Sequence, residues 1–112
     1  MIVSSYQETQ PVLELPGVIK RDVVCTDKGA PNFCMRVFDV EPGSGTPSHE
    51  HPWEHELYVL SGQGVAVSTQ GDIPLEKDSC VFVPPNEHHC FKNNGTETLR
   101  MICVIPTNRP CK

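Results

Sequence analysis

The stretch His49-Glu50-His51-Pro52-Trp53-Glu54-His55-Glu56-Leu57-Tyr58-Val59-Leu60 decides the reading of this chain. It holds three of the five histidines; the other two are His88 and His89. Side chains i and i+2 of a strand share a face, so His49 and His51 can reach one metal ion together. His55 follows Pro52, which interrupts strand hydrogen bonding and can turn the chain back. Neutral imidazole is the commonest protein ligand for transition metals. An isolated HxH can equally be a pair of exposed histidines on a polar loop. Here the cluster runs straight into Leu57-Tyr-Val-Leu, which reads as a buried strand.

Outward from this stretch the chain is cut into short pieces by eleven prolines and eight glycines. No helical spacing of apolar residues persists for ten residues. The pieces between breaks are rich in Val, Ile, Leu and Phe, as strands are. They predict strands near Val18–Thr26, Phe33–Val40, Glu56–Ser61, Gly64–Thr69, Cys80–Val83, His89–Lys92 and Glu97–Ile105. Turns fall at Glu41-Pro-Gly-Ser-Gly, Ser61-Gly-Gln-Gly, Gln70-Gly-Asp, Pro84-Pro-Asn and Asn93-Asn-Gly. Many short strands in one small domain predict an all-β sandwich or jelly-roll barrel, with at most one or two short helical turns. We read one domain over residues 1–112: an N-terminal arm (1–17), a barrel (18–107) and a frayed tail (108–112).

Composition narrows the function. The 112 residues carry a net charge of −5, and the nine Lys and Arg are scattered. No clustered basic patch exists for nucleic acid. No apolar run approaches the roughly 20 residues that span a bilayer. Met1–Gln10 lacks the basic start and apolar stretch of a secretory signal, which predicts a cytoplasmic protein. In that compartment the six cysteines are expected to be free thiols, with Cys34, Cys80 and Cys103 as small core residues. Open sheet edges and the Ile2–Leu15 segment predict a homodimer, with this segment against the partner.

Two motifs resemble those of the cupin superfamily. The first in that family is a glycine, five residues, HxH, three or four residues, a glutamate, about six residues and a glycine. Here Gly43 precedes His49-Glu-His51 at that spacing, Glu56 follows, and Gly62 closes the segment one residue early. The second is a glycine, five residues, PxG, two residues, histidine, three residues and asparagine. Asp78 stands for its first glycine and Asn86 for its second, with Pro84, His89 and Asn93 in register. Asp and Asn tolerate left-handed backbone better than other residues with a side chain. The register selects His89 over His88, which should face outward. The resemblance implies a cupin double-stranded β-helix.

The glutamate position admits two residues, His55 or Glu56. An inward Glu56 takes Tyr58 and Leu60 inside; an inward His55 takes Leu57 and Val59, a more apolar set. HxHPWEHE, with Ala30-Pro-Asn-Phe, Met35-Arg, Pro85-Asn-Glu and Cys103-Val-Ile-Pro, is similar to a narrower group, the small single-domain four-histidine manganese cupins. That likeness implies one divalent metal on His49, His51, His55 and His89, manganese first and iron next. Nickel, copper and zinc also suit such a site, and copper leads on affinity alone.

Strand parity outlines a substrate pocket from Leu57, Phe91, Met101, Cys103 and Ile105. Arg36 either faces an anionic small molecule there or forms a surface salt bridge. Open metal positions beside an apolar cup suggest a metal-dependent oxidoreductase of dioxygenase type. A non-redox isomerase or lyase, and a small-molecule or metal sensor without turnover, are the alternatives. The sequence reveals no proton-transfer residue beyond a metal-bound hydroxide.

Overall fold

A computed structural model of the chain describes residues 1–108. It has nine strands: β1 (Val12–Leu15), β2 (Val18–Val24), β3 (Phe33–Val40), β4 (His55–Ser61), β5 (Gly64–Ser68), β6 (Gly71–Leu75), β7 (Cys80–Val83), β8 (Cys90–Lys92) and β9 (Leu99–Pro106). Every pairing is antiparallel. A six-stranded sheet in the order β1-β2-β3-β9-β4-β7 faces a three-stranded sheet in the order β6-β5-β8. Short 3-10 turns at Tyr6–Glu8 and Thr26–Lys28 are the only helical elements among the described residues. The fold is the expected all-β cupin barrel. No described helix is long and apolar enough to cross a membrane.

Alternation along the central strands puts the core between the sheets. On β9, Leu99, Met101, Cys103 and Ile105 are buried, while Arg100, Ile102, Val104 and Pro106 are half-exposed. On β4, His55, Leu57 and Val59 are buried, and Glu56, Tyr58 and Leu60 are exposed. A one-residue slip would reverse every one of these faces. The pairings Leu57 with Cys103 and Val59 with Met101 fix the register.

Two strands escaped the sequence reading. β6 contains Pro74 and, apart from Leu75, is exposed, so neither its pattern nor its hydrogen-bonding capacity marks a strand. It lies at the edge of its sheet, where a missing N–H is tolerated. β1 is exposed throughout and also lies at an edge. Part of the expected arm therefore folds onto the chain's own sheet. Tyr6 pins the segment further: its hydroxyl donates to Asp39 and accepts from Arg21, with the Arg21 and Arg100 guanidinium carbons 4.3 Å and 4.5 Å from the ring centre.

The expectation of six free thiols is corrected. Cys25 and Cys34 form a disulfide, their Cα atoms 4.2 Å apart. The connection between β2 and β3 returns the chain alongside itself, a proximity that no sequence spacing reveals. Cys80 is exposed rather than in the core, because it opens edge strand β7 opposite the outward Tyr58. Cys90 and Cys103 are buried free thiols. Cys111, and the expected tail beyond Asn108, lie outside the described residues.

The motif turns explain their residue choices. Gly43 and Gly62 have φ of 83° and 85°. Asp78 and Asn86, standing where the family has glycine, are the only non-glycine residues with positive φ among those described, at 73° and 68°. Asn93 is buried and organises the second motif's exit: its amide donates to Val40 O at 2.8 Å and Glu97 O at 2.7 Å, and its Oδ1 accepts from Gly95 N.

Candidate metal centre

Between the sheets lies a cavity of about 340 Å³. Lining it are His49, His51, His55 and His89, an apolar wall that includes Phe38, Leu57, Phe91, Met101 and Ile105, and four further polar contributors, Arg36, Cys103, Glu14 and Thr46. Every residue named from the sequence as ligand or pocket wall borders this one space.

His49 and His89 form an antiparallel bridge, which sets their side chains side by side. The ring centroids of His49 lie 4.1 Å from His51 and 5.1 Å from His89. One ring nitrogen from each of His49, His51 and His89 can be chosen so that all lie within 4.8 Å of one another, close enough to hold one ion. His55 stands beside this trio, its ring 4.8 Å from His89 and 5.1 Å from His51.

Two hydrogen-bonding facts fit a metal. His89 Nδ1 lies 2.8 Å from Glu87 O, so Nδ1 carries the proton and Nε2 keeps its lone pair for an ion. His55 Nε2 is buried with no hydrogen-bond partner among the described residues, a costly state that a metal would relieve. The His55 pKa is lowered to about 3, first by burial and then by the neighbouring His89 and Arg36. Its ring is therefore neutral, the form that ligates. Trp53 stacks on His51 with centroids 4.3 Å apart and planes 9° apart.

Arg36 and Cys103 sit opposite each other on β3 and β9. Arg36 Nη2 donates to Cys103 Sγ at 3.0 Å, and the same sulfur lies 3.5 Å from His55 Nδ1. Burial pushes the Cys103 thiol up, although Arg36 pulls the other way. Arg36 belongs to the cavity and makes no ion pair within 4.0 Å among the described residues. The nearby acids Glu14 and Asp22 both pair with Lys20, each at 3.5 Å.

Two residues stand apart. Glu56 is exposed on the outer face of β4. His88 is exposed, 2.7 Å from Ser48 Oγ and 3.7 Å from Glu50. The sequence reading missed Glu14, Phe38, Thr46, Pro47 and Trp53 as cavity residues. Parity along β3 could have supplied Phe38, which shares a face with Arg36. Nothing local marks Glu14.

The cupin-domain family model matches residues 36–105, which includes both motifs and the histidine cluster. The chain is a cupin. It is 34% identical over 65 residues to an oxalate-binding protein of Thermotoga maritima, covering 57% of this chain and 54% of that protein. It is 28% identical over 102 residues to the polyketide synthase CurC of Streptomyces cyaneus, covering 89% of this chain and 66% of that one. This cupin thus spans about half to two thirds of the length of these two relatives. Among solved structures, the polyketide cyclase RemF from Streptomyces resistomycificus superposes with a TM-score of 0.90 at 32% identity, covering 99% of this chain and 82% of that one.

Proposed function

We propose that this cupin is a metal-dependent cyclase that closes a ring on a polycarbonyl, polyketide-like substrate without net oxidation. The observation that carries this reading is the likeness to RemF, 32% identical across 99% of this chain, joined to a cavity of four imidazoles, apolar wall and one guanidinium. His49, His51, His55 and His89 would hold one divalent transition ion, manganese first and iron second. Such an ion with neutral ligands keeps its full charge and polarises a carbonyl oxygen as a Lewis acid. Leu57, Phe91, Met101 and Ile105 would exclude water and fold the chain of the substrate. Arg36, which has no ion-pair partner among the described residues, would hold a second oxygen as negative charge grows on it.

Cys103 favours this reading over a dioxygenase only through proximity, its sulfur lying 3.5 Å from His55 Nδ1 and so within reach of an oxidant formed beside that ring. A non-redox reaction places no such demand on it.

The test is to incubate the metal-loaded protein with a synthetic aryl triketone and follow product mass and dissolved oxygen. Ring closure, with or without loss of water and with no oxygen uptake, is the expected result. Oxygen consumed in step with substrate would overturn it.

We also propose a homodimer, with the N-terminal segment against the partner. Exposed Val12 and Leu13 on the open edge strand β1, and exposed Ile2 and Val3 ahead of it in the chain, support this, since open edges invite pairing. A monomer by light scattering at micromolar concentration would refute it.

A further inference from the structure

We infer that Glu14 is the proton-transfer residue of this cavity, the base that removes a proton from a methylene of the substrate. The inference rests on the cyclase reading above, because ring closure through carbon requires a carbanion equivalent.

Elimination points to Glu14. The four histidines lining the cavity are assigned to the ion. A guanidinium offers only donors and no acceptor, so Arg36 is no base. Cys103 Sγ already contacts Arg36 and His55. The Thr46 hydroxyl accepts from Phe91 N at 2.9 Å. Glu14 is the only carboxylate lining the cavity among the described residues.

Backbone geometry supports it independently. In the β1–β2 ladder Leu13 pairs with Ile19 and Leu15 with Val18, so Glu14 is the extra residue of a β-bulge. Bulges re-aim a side chain and are frequent beside active sites. Here the bulge falls at the one residue of β1 that borders the cavity. Lys20 Nζ, 3.5 Å from Glu14 Oε1, holds the carboxylate from the next strand. The Glu14 side chain is 31% exposed, so it sits at the rim and can exchange its proton with solvent.

The step balances without any further reagent. The Glu14 carboxylate takes a proton from a methylene flanked by two carbonyls, and the C–H electron pair becomes an enolate. The enolate carbon bonds to a second carbonyl carbon of the same molecule, whose C=O π pair moves onto its oxygen. That oxygen takes back one proton from Glu14. The product is an isomer of the substrate, and nothing is oxidised or reduced.

Two probes test this in the metal-loaded protein: the aryl triketone, and acetophenone in D2O, whose methyl exchange is followed by NMR. Wild type should accelerate both exchange and ring closure. E14Q should lose roughly 100-fold or more in both, the usual scale for a missing general base. E14D should recover part of it. Metal content, and acetophenone binding read by Trp53 fluorescence, should match wild type in both variants. Equal rates for E14Q and wild type would overturn the role of Glu14 and leave the cyclase reading standing. Failure of wild type to close the triketone ring would overturn both, whereas ring closure without acetophenone exchange would overturn the role of Glu14 alone. Loss of metal or of ketone binding by E14Q would also overturn it, because Glu14 would then be structural.

Discussion

His49 and His89 are joined by two backbone hydrogen bonds, His49 N to His89 O at 3.1 Å and His89 N to His49 O at 2.9 Å. This bridge turns two separate sequence motifs into one site. Residues directly opposite in an antiparallel pair present their side chains on the same face. Both rings therefore enter the cavity without help from a flexible loop, and rigid supports hold ligands better than mobile ones.

The first prediction concerns the ion. Alanine at His49, His51 or His89 should strip most of the metal from protein purified without added metal, as measured by elemental analysis. His88→Ala should keep it, because His88 faces Ser48 and Glu50 outside the cavity. Trp53, the single tryptophan, should report binding through its stack on His51, so titration with Mn²⁺ should quench its fluorescence. Full metal content in His89→Ala would refute the assignment.

His55 and Glu56 give the second. His55→Ala should weaken metal affinity by more than about 100-fold, exceeding the 10–100-fold typical of a lost outer partner. Glu56→Ala should leave affinity unchanged, since Glu56 lies on the outer face of β4. Competition with a chelator measures both. The reverse pattern would return this cupin to three histidines and one glutamate.

Turn geometry supplies the third. A Cβ on Gly62, at φ 85°, would stand 2.4 Å from Thr98 O. Gly62→Ala should destabilise by more than about 2 kcal/mol, above the usual cost of alanine at positive φ because backbone must also move. Asn86→Gly should stay within about 1 kcal/mol of wild type, because glycine adopts the same φ without strain. Urea unfolding of the two variants distinguishes a steric turn from a merely polar one.

The disulfide yields the last. Peptide mapping without reductant should recover Cys25 and Cys34 as one linked pair. Replacing both by serine should cost about 2–3 kcal/mol, the scale for a short closed loop. Recovery of both as free thiols in air-purified protein would show that the pair does not form.

The sequence by itself determined the all-β class and, through its likeness to the cupin motifs, the inward places of His49, His51 and His89. Strand periodicity, proline and glycine breaks and HxH spacing are all local properties, and local properties are written in order along the chain. Even the irregular turns were legible, because Asp78 and Asn86 stand where only left-handed backbone fits. Tertiary structure decided what depends on neighbours distant in sequence. The choice between His55 and Glu56 required the register of β4 against β9, which buries Leu57 opposite Cys103 and so carries His55 inward. Cys25 met Cys34 only once β2 and β3 lay side by side. Glu14 reached the cavity through an edge strand that buries no face and a bulge set by its partner. Edge strands take their place from the pairing of backbone groups, and every residue carries the same backbone, so their side chains leave little trace of it.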